Sequence, residues 1–185
     1  MNFFGKAICP AMRRAAALSA LLIVAGLGGC ATRPGPEVLA LTPEMPGAKI
    51  ETIYVATTRV VTPQDVYTDG RARQTNYAEF KISIPPNHQP GQIEWPKGPP
   101  NPATSFTAVA DEPLDAAAFE QKIAAHDHGK PVEATVFVHG YNTSFQEALF
   151  RFTQVTADSN LDAAAILFAW PSEAHLAGYV TDKDA

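Results

Sequence analysis

The sequence predicts an α/β fold, a mostly parallel sheet entered through an antiparallel N-terminal hairpin. Three observations carry that reading. Thr135-Val136-Phe137-Val138 is an unbroken apolar or β-branched run, the pattern of a parallel strand covered on both faces. It leads through His139-Gly140-Tyr141-Asn142 to Ser144 and Glu147, whose S-x-x-E spacing is the capping box of a helix start. A second apolar run, Ala164–Ala169, follows that helix, and a strand–helix–strand order implies a parallel pair with a right-handed crossover.

In chain order, Ala31–Ala48 holds Pro34, Gly35, Pro36, Pro43, Pro46 and Gly47 and reads as a spacer that cannot pack as a helix. Thr52–Thr57 (T-I-Y-V-A-T) has strand character. Arg59–Asn76 is polar, contains Pro63, Gly70 and Arg71-Ala72-Arg73, and reads as a loop. Tyr77–Ile84 alternates, with Phe80, Ile82 and Ile84 on one side and Glu79, Lys81 and Ser83 on the other, the pattern of a half-buried strand; Pro85-Pro86 ends it. His88–Ala103 is Pro- and Gly-rich connection with room for a short edge strand at Ile93-Glu94-Trp95-Pro96, and Ser105–Ala110 reads as a further strand. Asp111–Asp127 carries Leu114, Phe119, Ile123 and Ala124 at helical spacing and predicts an amphipathic helix stopped by Gly129 and Pro131. Strand Ala134–Val138 comes next, and Gly140 is expected where a side chain would clash with the turning backbone. Helix Ser144–Asp158 then presents Leu149, Phe152 and Val155, with Phe145 and Ala148 one turn earlier, as its apolar stripe. If nothing followed the strand that ends at Ala169, it would leave an open parallel edge prone to aggregation.

The chain has 185 residues and a formal charge of −5, with every acidic residue after position 30. Without Lys6, Arg13 and Arg14, 11 basic and 19 acidic side chains remain, a charge of −8. That balance argues against nucleic acid as a partner, which needs clustered Lys and Arg. Two cysteines, Cys9 and Cys30, make neither a disulfide framework nor a zinc ribbon. Residues 1–29 have the parts of a secretory signal: a basic region at Lys6, Arg13 and Arg14, and an apolar Ala15–Leu27 too short for a comfortable membrane span. Leu27-Gly28-Gly29-Cys30 resembles a bacterial lipobox, which implies lipid attachment at Cys30; the alternative is a plain cleaved leader followed by a chance cysteine. The expected organisation is therefore a lipoprotein signal at 1–29, a Pro-rich tether at 30–50 and a folded domain at 51–185. The expected location is the bacterial cell envelope, with the protein tethered by lipid on the extracytoplasmic side of a membrane.

Three segments share a further likeness: I-Y-V-A-T-T-R at Ile53–Arg59, Y-A-E-F-K-I-S-I-P-P-N-H at Tyr77–His88, and V-F-V-H-G-Y-N-T-S-F-Q-E-A-L-F-R-F at Val136–Phe152. With F-A-W-P-S at Phe168–Ser172 and Gly178-Tyr179, they resemble a bacterial α/β-hydrolase group formerly labelled a domain of unknown function. The resemblance implies an α/β-hydrolase-like sheet, incomplete here. Members of the group continue into a serine elbow G-x-S-x-G, then an acid, then a histidine, and no G-x-S-x-G occurs in this sequence. The expected function is that of the N-terminal part of a lipid-anchored serine hydrolase acting on small ester or similar acyl substrates, with no metal and no cofactor. The alternative is a catalytically inactive cell-envelope lipoprotein that serves as an interaction module.

What the resemblance implies for the site rests on the turn. The backbone N–H of Tyr141 is the candidate oxyanion donor, with Gly140 and His139 supporting it. A single such donor is worth about 2.7–4 kcal/mol in a transition state. His139 reads as a loop-bracing residue, since the fold's catalytic histidine comes last in the chain. Asn142 either caps the turn or faces the pocket. His126-Asp127-His128 reads as a solvated helix end rather than a metal pair, and His88 and His175 as isolated surface or loop residues. Ser144 reads as a helix cap, Ser172 as a residue without an elbow, Asp182 as a solvated helix position, and Trp170 as a strand end or a wall at the pocket mouth.

Overall fold

The computed structural model describes residues 33–126, 133–159, 162–175 and 182. The signal segment, Cys30, Asp127, His128, Gly129, Pro131 and Gly178-Tyr179 lie outside the described residues. Five strands form one sheet in the order β3-β2-β1-β5-β4. They are β1 (Lys49–Val61), β2 (Tyr67–Ile84), β3 (Thr107–Leu114), β4 (Ala134–Val138) and β5 (Ala164–Ala169). Strand β2 runs antiparallel to both β1 and β3, while β5 is parallel to β1 and to β4, so four strands share one direction. The fold is the expected mixed α/β one, with a hairpin leading into a parallel sheet.

Helices cover the two faces. Helix α2 (Phe145–Ser159) joins β4 to β5 and lies on one face, where Phe145, Ala148, Leu149, Phe150 and Phe152 share a core with Ile53, Val55, Phe80, Ile82 and Leu167. Helix α1 (Ala116–Ala124) brings Phe119 against Tyr54 and Ala164 on the other. Strands β4 and β5 are neighbours as expected, with Val136 opposite Ile166 and Val138 opposite Phe168. Both capping-box bonds form: the Ser144 N–H donates to Glu147 Oε2 at 2.8 Å and the Glu147 N–H to Ser144 Oγ at 3.4 Å.

Several expectations are corrected. The Arg59–Asn76 loop is instead the outer arm of a long hairpin: β1 runs on to Val61 and β2 begins at Tyr67, with register shifts after Thr57 and Arg59. Ladder bonds form there without an apolar face, so polarity concealed the strands. Tyr77–Ile84 is an inner strand in which Glu79 and Ser83 are buried along with Phe80 and Ile82, and α1 covers the second face at Tyr77 and Glu79. The Glu79 carboxylate meets Lys122 at 2.9 Å. Residues 111–114 extend β3, and the edge position of that strand tolerates Pro113. Helix α1 starts only after Asp115, whose side chain accepts the Ala118 N–H at 2.7 Å. On α2, Val155 is exposed, and Phe150 is buried between Trp95 and Phe106.

The spacer is docked on the fold at its first turn. Pro36–Leu39 forms a 3-10 turn with Val38 in the core, and the Pro34 carbonyl accepts Gln146 Nε2 at 2.6 Å. Strand β5 is not an edge, since β1 and β4 flank it. Among the described residues β4 is the parallel edge of the sheet, and the expected cover on both of its faces is corrected to one: Phe137 stacks on Phe152, while Val136 and Val138 remain 59% and 57% exposed. No helix among the described residues is long and apolar enough to cross a membrane.

Candidate active site

Because β1, β4 and β5 run parallel, their C-terminal ends share one edge of the sheet, the edge at which α/β sheets bind ligands. The turn after β4 (139–144) and the segment after β5 (170–175) meet there. His139 is buried, its ring stacked on Trp170 at 5.1 Å between centroids and 10° between planes. The Trp170 Nε1–H donates to the His139 carbonyl at 2.8 Å. Both imidazole nitrogens face carbonyl oxygens, Nδ1 that of Gly140 at 2.8 Å and Nε2 that of Trp170 at 3.1 Å. Burial lowers the His139 pKa, and Arg59 adds to that effect against the raising influence of the two carbonyls and Asp182. A neutral imidazole has one N–H, so it bonds one of these carbonyls at a time.

The turn is held from below by residues of opposite charge. Asp182, expected as solvated, is only 7% exposed. Its carboxylate accepts Ser172 Oγ–H at 2.6 Å and the Glu173 N–H at 2.9 Å, and it also takes the Asn142 backbone N–H. Burial would raise its pKa, but these donors and Arg59 hold it below the usual carboxylate value. Arg59, 2% exposed, sends Nη2 to the Thr143 carbonyl at 3.0 Å and Nη1 to the carbonyls of Thr68 and Ser172 at 3.1 and 3.3 Å. Burial lowers its pKa to about 10, opposed by Asp69 and Asp182. Ser172 is fully buried and serves as a strut, since its Oγ accepts the Thr143 N–H at 3.3 Å.

The turn's conformation differs from expectation at Gly140. A Cβ there would meet nothing within 4 Å, and the left-handed residue is Asn142, at φ 59°. Asn tolerates that conformation better than most side chains do. Asn142 therefore both turns the chain and lines a cavity of about 400 Å³ beside the turn. Ile93 and Trp95, Phe137, and Glu147 and Arg151 of α2 form other parts of its wall, so the lining is mixed, with apolar side chains beside polar and charged ones. Tyr141 projects outward, 40% exposed.

The remaining histidines separate. His88 is not isolated: Nδ1 meets Glu94 at 2.7 Å and Nε2 meets Asp158 at 3.0 Å, clasping the connection that carries Ile93 and Trp95 to the end of α2. His126 lies edge-on to Tyr54, and His175 sits near the surface beside Glu173. Among the described residues no cluster of His, Cys, Asp or Glu suits a metal ion. A second cavity of about 380 Å³, beside Pro36–Leu39, holds Asp65, Tyr67 and Asp111 and reaches the start of α2 at Phe145. Burial and then the charge of Asp65 push Asp111 up to about 6.

Sequence reasoning missed Arg59, Asp182 and the His88 clasp. Arg59 had one usable signal, a charge placed directly after an apolar strand run. Asp182 had none, since its partners lie 9, 10 and 40 positions away. Residues 115–185, which include both helices, β4, β5 and the turn, match the family model described as an alpha/beta hydrolase of unknown function (DUF900). No curated protein and no solved structure matches the chain.

Proposed function

We propose that the chain is the N-terminal part of a lipid-anchored α/β-hydrolase that cleaves ester or similar acyl bonds through a serine supplied by sequence beyond Ala185. The observation that carries the reading is the H-G-Y-N turn that follows β4, bonded to the segment after β5 and beside a cavity of about 400 Å³. The amides of Asn142, Thr143 and Ser144 are committed inward, to Asp182, Ser172 and Glu147, so they are not donors to an external oxyanion. The Tyr141 N–H precedes them and takes the role that the fold gives to this segment. When the serine oxygen attacks the acyl carbon, the carbonyl π electrons move onto oxygen. A fixed main-chain dipole then stabilises the new charge without reorganising. The apolar wall of Ile93, Trp95 and Phe137 suits an acyl or leaving group of modest size.

The open edge of β4 supports the same reading, because Val136 and Val138 offer an apolar surface that a following strand and its helix would cover. Lipid attachment at Cys30 rests on the sequence alone. Cys30→Ser should abolish incorporation of a fatty-acid analogue and release the protein from membranes; unchanged retention contradicts the anchor. The hydrolase reading is tested by comparing Met1–Ala185 with a protein extended through the following strands. The extended protein should hydrolyse short activated esters and react with a serine-directed fluorophosphonate, while Met1–Ala185 should do neither. Serine-dependent turnover by Met1–Ala185, or none by the extended protein, overturns it. The second of those outcomes would favour an interaction module built on the exposed face of β4.

A further inference from the structure

We infer that Arg59 is a positioning residue for the 139–143 turn: from β1 it ties the Thr143 carbonyl to the Ser172 carbonyl and thereby fixes the direction in which the turn's amides point. The inference rests on reading that turn as an oxyanion-binding segment. Arg59 is almost fully buried, yet its guanidinium donates to main-chain carbonyls of three separate segments, those of Thr68, Thr143 and Ser172. Its Nε is also buried and has no hydrogen-bond acceptor. A buried cation held without a directly bonded carboxylate is costly, so fold stability alone is a poor reason for it. Local geometry supplies a better one. A planar fork can hold two loops in fixed relation, which the single point of a lysine ammonium cannot do.

Asp182 completes the device with the opposite sign. Arg59 draws in the Thr143 oxygen while Asp182 draws in the Asn142 N–H, so the peptide group before Asn142 and the one after Thr143 are oriented by buried charges. His139, three residues earlier, feels both charges, and Arg59 disfavours its protonation. The turn therefore keeps a neutral imidazole and a fixed main chain.

The test uses isotope-labelled Met1–Ala185 and the variants Arg59→Met and Arg59→Lys, reading amide exchange and the His139 titration by NMR. Arg59→Met should speed exchange at Asn142 and Thr143 by about tenfold or more relative to Ile53 and Phe80 in the sheet. It should also raise the His139 pKa. Arg59→Lys should return the His139 titration toward wild type, because the charge remains, yet leave Thr143 exchanging fast, because the fork is gone. Turn amides as protected as wild type in both variants overturn the inference. If Arg59→Met fails to fold, Arg59→Lys decides: fast Thr143 exchange supports the inference and wild-type exchange refutes it. Hydrolysis does not enter the readout, so failure here leaves the hydrolase reading intact, and an inactive extended protein leaves this result intact.

Discussion

Replacing Asp182 with alanine should destabilise the domain far more than a change of one charged residue near the chain's end ordinarily would. The carboxylate is the acceptor for Ser172 Oγ–H, the Glu173 N–H and the Asn142 N–H, and it offsets the buried charge of Arg59. Each hydrogen bond to a charged acceptor contributes about 1.5–3 kcal/mol. Water entering the truncated site recovers part of that, and Arg59, which bonds only main-chain carbonyls, adds a longer-range share. The expected loss is therefore on the order of 3–4 kcal/mol, or a fall in Tm of roughly 6–15 °C for a protein of this size. Asp182→Asn, which keeps one acceptor oxygen, should lose less. The pH dependence has a definite sign. A carboxylate whose folded pKa is depressed contributes stability above its unfolded pKa and loses it as pH falls through the folded value. The difference between wild type and Asp182→Ala should thus be full at neutral pH and shrink below the usual carboxylate range. Urea midpoints measured from acid to neutral pH check both statements. A loss under about 1 kcal/mol at neutral pH, typical of an exposed position, would refute the buried-brace argument.

Two further outcomes are expected. For His88, burial alone would lower the pKa, but the bonds to Glu94 and Asp158 raise it, while both carboxylates end below their ordinary values. The histidine's contribution is full below its unfolded pKa and is lost as pH rises through the raised one; the carboxylates' share is lost as pH falls through their depressed values. His88→Gln should therefore weaken the protein most between those limits and least in alkali, as read from urea midpoints against pH; an effect that grows in alkali contradicts the clasp. Val136→Lys and Val138→Lys should leave the stability of Met1–Ala185 within about 0.5 kcal/mol, because both sites are exposed, and should slow aggregation measured by light scattering. A large drop in stability would show that this face is covered.

The parts of the fold that were legible in the sequence are those whose side chains report their surroundings. Ala134–Val138 and Ala164–Ala169 are short apolar runs, and their strand bounds match the expected ones. The Ser144–Glu147 box places the helix start between them. The outer hairpin was hidden because backbone pairing holds it together, and Arg71, Arg73 and Thr75 announce no buried face. Asp111–Leu114 followed a helical pattern that the sheet edge overrode, so Asp115 became the cap rather than an interior residue. In the candidate site, the turn could be read but its brace could not. Arg59, Ser172 and Asp182 are ordinary residues in sequence, and they become a unit only when β1 and β5 lie side by side.

The central claim is that the 139–142 turn supplies a main-chain donor to an acyl-transfer transition state. Its most direct test compares Tyr141→Ala with Tyr141→Pro in the extended protein, using kcat for a short activated ester. The side chain is not the proposed donor, so Tyr141→Ala should retain most of the rate. Tyr141→Pro removes the N–H and should lower kcat by about two or more orders of magnitude while the fold, followed by circular dichroism, persists. A folded Tyr141→Pro protein with near wild-type kcat would contradict the account.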